Sequence, residues 1–102
     1  MNHETQLHKF AVTLAISGIN TDADPNGLEG FKKVIGMRGH LILRQIEFDD
    51  STHQLTISVL MESLNKEMAK RQMTEEFFEI ANAVLRHIEG VRTKVVEVDL
   101  LE

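Results

Sequence analysis

The residues best suited to chemistry lie in one short run, Asp22-Ala23-Asp24-Pro25-Asn26-Gly27. It matches the first half of a calcium-binding loop, where alternating side-chain oxygens converge on a cation and a glycine allows the sharp turn. The second half departs from that pattern. Lys33 stands where the loop needs a bidentate glutamate. The residues before the run alternate like a strand, not a helix. Pro25 stiffens the interval between the second and third candidate ligands. The same residue types serve any strand-to-helix turn. The favoured reading is therefore helix capping, with Asp24 as N-cap and Pro25 at the first helical position. Asp22, Asp24 and Asn26 stand as the candidate cation ligands should capping fail.

Other reactive groups are scattered. His3 and His8 lie near the N-terminus, and His40 and His53 open successive strands of a hairpin, which separates them. His87 falls near the end of a helical stretch, where a cation suits the dipole. No histidine has a partner four residues away. The chain has no cysteine, so disulfides, thiolate metal sites and a cysteine nucleophile are excluded. Ser17, Ser51, Ser58 and Ser63 lie outside any G-x-S-x-G turn. Asp49-Asp50 reads as a turn and Glu75-Glu76 as a helix start. Gly36-Met37-Arg38-Gly39 leads into a strand and so lacks the helix N-terminus that would hold a phosphate. No catalytic residue and no cofactor is assigned.

The elements that position these residues follow β-α-β-β-α-β order. Phe10, Val12, Leu14 and Ile16 recur at period two and predict a strand over residues 10–19. Leu28, Phe31, Val34 and Ile35 form one stripe of a helix over residues 25–35, ended by Gly36. Gly27 and Gly30 weaken that helix by about 1 kcal/mol each relative to alanine. Residues 40–48 and 53–61 flank the turn formers Asp49-Asp50-Ser51-Thr52 and predict a hairpin. Arg44 falls on the apolar face of its first strand, which suits an edge.

Residues 62–73 read either as the start of one long helix or as a separate short one, with Thr74 as a fresh helix start. Phe77, Ile80, Ala81, Val84 and Ile88 give a clean stripe, widened by Phe78 and Leu85 and stopped by Gly90. Residues 92–100 form the last strand. This order predicts an α+β, ferredoxin-like sandwich: a four-stranded antiparallel sheet in order 4-1-3-2 with both helices on one face. It forms a single domain over residues 1–102, with residues 1–7 loose.

The predicted helix-facing core is Phe10, Val12, Leu14, Ile16, Ile57, Val59, Phe31, Ile35, Phe77, Ile80, Ala81, Val84 and Ile88. By alternation, Ala11, Thr13, Ala15, Leu41, Leu43, Thr56, Ser58, Leu60 and Val95 then point away from the helices. That is a small-residue, nearly uncharged open face, and such a patch marks an interface. The leading expectation is a non-catalytic interaction or regulatory module that self-associates as a dimer through its sheet. The alternative is a small enzyme or ligand-binding protein with a pocket between sheet and helices, lined by Met37, Met61, Met68 or Met73.

Bulk properties narrow the partners. The 102 residues are 42% apolar and 26% charged, as in a globular domain. A net charge of -5 lacks the basic footprint of a nucleic-acid binder and repels anionic membranes. No apolar run reaches transmembrane length. Residues 10–19 imitate a signal-peptide core, but Glu4 before them and Thr13 and Ser17 within them favour a strand and a cytoplasmic location.

Families with this element order can be tested by their motifs. The third strand, Leu55-Thr56-Ile57-Ser58-Val59-Leu60-Met61, lacks the stacking aromatics of an RNA-recognition domain. A copper-chaperone-like domain would need C-x-x-C. Gly18-Ile19-Asn20-Thr21-Asp22-Ala23-Asp24 lacks the arginine of an acylphosphatase-like phosphate loop. Asp24-Pro25-Asn26-Gly27 resembles the acidic residue and Pro-Gly that open helix one in amino-acid-sensing domains, but four residues do not name a family.

Overall fold

A computed structural model describes residues 6–101 of the chain. Its elements are β1 (His8–Ser17), α1 (Gly27–Met37), β2 (Ile42–Asp49), β3 (Gln54–Ser63), α2 (Lys66–Val84) and β4 (Arg92–Leu100). The strands form one antiparallel sheet in order β2-β3-β1-β4, which is the expected order read from the opposite edge. The expected loose terminus falls outside the described residues at positions 1–5, while Gln6 and Leu7 are exposed.

Both helices pack on one face. Phe10, Val12, Leu14 and Ile16 of β1 and Leu55, Ile57, Val59 and Met61 of β3 meet Phe31 and Ile35 of α1 and Met73, Phe77 and Ile80 of α2. Burying side chains of this size contributes about 1.5–3 kcal/mol each, so this one interface carries the hydrophobic stabilisation of the fold. Val84 and Ile88 sit at its margin, and Phe78 is exposed instead of widening the stripe.

Gly30 explains why α1 tolerates weak helix formers. A Cβ there would lie 2.7 Å from Val84 Cγ1, so the glycine lets α1 approach α2 closely. Gly36 does not end α1. The helix runs through it to Met37, and Arg38 takes the C-cap in extended conformation.

α2 is a single helix. Asn65 caps it, accepting a hydrogen bond from Met68 N–H at 2.8 Å. Thr74 is interior and donates its hydroxyl to the Lys70 carbonyl. The helix stops at Val84, short of the expected Ile88. Gly90 instead shapes the loop into β4. Its φ is +82°, and its carbonyl oxygen would clash with a Cβ on Gly18, whose φ is +80°. These two glycines bring the β1–α1 and α2–β4 loops into contact.

Both edge strands carry a bulge. Partner pairing shifts between Leu43 and Gln45 on β2, leaving Arg44 extra, and next to Leu14 on β1, leaving Val96 of β4 extra. An extra residue reverses the alternation beyond it. Leu43, Ile46 and Phe48 consequently all pack toward the helices, while Ile42 faces away and is 62% exposed. Val95 likewise points into the core.

Candidate functional site

The open face is built from β1 and β3 at its centre and the two bulged strands at its rims. Residues directly opposite in an antiparallel pair share a face. The registers therefore place four rows across it, in strand order β2, β3, β1, β4. These rows are Asp49, Gln54, Ser17, Arg92; then Glu47, Thr56, Ala15, Lys94; then Gln45, Ser58, Thr13, Glu97; then Ile42, Leu60, Ala11, Asp99. A shorter fifth row pairs Glu62 with Lys9.

Six of the nine residues expected on this face meet there: Ala11, Thr13, Ala15, Thr56, Ser58 and Leu60. Leu41 and Leu43 do not. Leu41 is buried in the core and Leu43 packs against it, because the bulge at Arg44 was invisible to an unbroken alternation. Val95 leaves the face for the same reason. The expected lack of charge holds for the middle rows of the central strands only. The β2 rim carries Glu47 and Asp49, and the β4 rim carries Arg92 and Lys94 beside Glu97 and Asp99. Within the β2 rim, the Gln45 side-chain amide donates to the Glu47 carboxylate. The Asp49 carboxyl is held below its usual range, first by the Ser51 hydroxyl and then by backbone N–H donors in the turn.

The aspartate loop has a different role from the one its sequence suggests. Asp24 does not cap α1. The residue before the helix is Asn26, and its side chain makes no capping bond. Asp24 is 8% exposed, and its two carboxylate oxygens accept N–H groups from Arg86 at 2.8 Å and His87 at 3.1 Å. It fastens the β1–α1 loop to the chain leaving α2, and it turns those two N–H groups away from helical bonding. Asn20 organises the loop itself, its side-chain oxygen accepting from Asp22 N–H and Ala23 N–H. Among the described residues, no three His, Asp or Glu side chains converge as metal ligands. With both oxygens of Asp24 engaged, a cation bound by Asp22, Asp24 and Asn26 would have to displace those bonds.

A second polar cluster was missed in the sequence. The Glu76 side chain, 10% exposed, receives Arg38 Nη1 at 3.0 Å and lies 2.8 Å from His40 Nε2. Together they tie the α1–β2 connection to α2. A sequence signal existed: Glu76 lies on the buried stripe of α2 beside Phe77 and Ile80, and a buried carboxylate requires a cationic or donor partner. His40 also lines a cavity of about 420 Å³ with Lys9, Ile42, Leu60, Met61 and Gln72. A carboxylate-backed imidazole is half of a general-base arrangement. Among the described residues, no hydroxyl hydrogen-bonds to the imidazole to complete it. Of the four methionines expected around a pocket, Met61 lines this cavity, Met73 is buried in the core, and Met37 and Met68 are exposed.

Among the described residues, no helix is long and apolar enough to cross a membrane. Comparison with protein-family models, curated proteins and solved structures returned no match.

Proposed function

We propose that the chain is a non-catalytic interaction module that self-associates through the open face of its sheet. One observation carries this reading. The helices cover one face only, and the middle rows of the other bear Ala11, Thr13, Ala15, Thr56, Ser58 and Leu60, with charge confined to the rims and the Glu62–Lys9 row. Small side chains let two sheets approach closely, and an uncharged centre inside a polar rim is the anatomy of a protein interface.

The test is a dilution series followed by amide NMR. Amides of β1 and β3 are expected to shift together with concentration, and Ser58→Arg is expected to abolish the shift while leaving the fold intact. Concentration-independent spectra for the wild-type chain would end the proposal.

A second reading rests on the carboxylate-backed His40 at the 420 Å³ cavity, which would make the chain a small-molecule binder. A thermal-shift screen supports it if a small ligand raises the melting midpoint and His40→Ala removes that rise. A screen with no such ligand leaves the interaction reading alone.

A further inference from the structure

We infer that the partner on the open face is a second copy of this chain, related by a two-fold axis parallel to the strands and running between β1 and β3. This rests on the self-association reading and adds its geometry. Such an axis keeps every row at its own height and exchanges left with right. β2 then faces the partner's β4, and β3 faces the partner's β1.

Each row can be checked for complementarity from the registers. Asp49 meets Arg92 of the partner subunit, and Glu47 meets Lys94 of the partner subunit. Glu62 meets Lys9 of the partner subunit. At the centre, Thr56 meets Ala15 of the partner subunit and Ser58 meets Thr13 of the partner subunit. Gln45 meets Glu97 of the partner subunit and Ile42 meets Asp99 of the partner subunit, so those two acids stay unpaired, but no row sets like charges against each other. By symmetry each of the three ion pairs forms twice. A two-fold axis across the strands would instead set each strand against its own copy, pairing Arg92 with Asp99 of the partner subunit and Lys94 with Glu97 of the partner subunit, but leaving Glu47 and Asp49 opposite an edge strand whose one cation is Arg44, the extra residue of the bulge. The parallel axis is the one that brings the acids of the β2 rim onto the cations of the β4 rim.

The area fits a weak dimer. Four strands about 4.8 Å apart, over roughly eight residues rising about 3.4 Å each, present about 500 Å² per copy. The two copies together bury about 1,000 Å², the lower end for a specific interface. Rim charges then set orientation more than affinity.

Charge exchange tests the geometry by sedimentation and native mass spectrometry. The double variant Glu47→Lys, Asp49→Lys moves the net charge from -5 to -1, since each change adds two units. If only overall repulsion mattered, this variant would associate more tightly than wild type. The proposed axis predicts the reverse, a dimer weakened about tenfold or more because four pairs become repulsive. The double variant Lys94→Glu, Arg92→Glu should also lose its homodimer. Mixing the two variants should restore a heterodimer of near wild-type affinity.

A Glu47→Lys, Asp49→Lys variant that dimerises as well as wild type overturns the axis. If Ser58→Arg still blocks assembly in that case, the face survives as the interface and only the geometry fails. A monomeric wild-type chain removes both.

Discussion

Replacing Asp24 by alanine is expected to cost about 3 kcal/mol, well above the loss of an ordinary helix cap. The carboxylate is nearly buried and accepts two backbone N–H groups, at 2.8 Å from Arg86 and 3.1 Å from His87. Hydrogen bonds to a charged acceptor contribute about 1.5–3 kcal/mol each. The lower end applies here, because the loops lie near the surface and water can replace part of the loss. Two such bonds give about 3 kcal/mol, against about 1 kcal/mol for a lost N-cap. In a domain of this size that lowers the melting midpoint by about 12 °C or more. Asp24→Asn keeps one acceptor oxygen and should cost about half as much. Urea denaturation gives the energy, and hydrogen exchange gives the location: the Arg86 and His87 amides should lose protection first. A cost near 1 kcal/mol with those two amides unchanged would refute the reasoning.

Further outcomes follow from packing and titration. Gly36→Ala should stabilise by up to about 1 kcal/mol, because a Cβ there meets nothing within 4 Å. Gly30→Ala should lower stability despite the same propensity gain, since its Cβ would sit 2.7 Å from the stiff, β-branched Val84; paired thermal melts compare them. Phe77→Ala, at a fully buried position, should cost about 3–5 kcal/mol in urea denaturation. Asp49 has a folded pKa below its unfolded one, so its contribution is present above the unfolded value and fades as pH falls through the folded one. Ser51→Ala should move the Asp49 carboxyl midpoint upward in an NMR titration, because the hydroxyl that lowers it most is gone.

Much of the fold was legible because its core obeys simple periods. The central strands are regular, so Phe10, Val12, Leu14, Ile16, Ile57 and Val59 alternate without interruption and all face the helices. The edges were misread where a bulge inserts one residue. Leu41, Leu43, Ile46 and Phe48 show a step of three in place of two, with Arg44 in the gap, and that step is the trace a bulge leaves. Val95 and Val98 show the same step around Val96. Helix ends were misplaced because tertiary bonds decided them. Asp24 captures two N–H groups 62 and 63 residues away, and a local capping rule cannot foresee that. The Arg38–Glu76–His40 cluster was obscured because Glu76 was read with its neighbour Glu75 instead of with the buried stripe it shares. The open face was recovered in outline, with six of its central residues, but its charged rims emerged only once both registers were known.

The central claim is that this chain associates with itself through the open face of its sheet. The most direct measurement is the solution mass by sedimentation equilibrium from low micromolar to several hundred micromolar chain. The account predicts a mass rising toward twice the 11.6 kDa of one chain, with Ser58→Arg remaining at the single-chain value throughout. A wild-type mass that stays at 11.6 kDa at the highest concentration would contradict it.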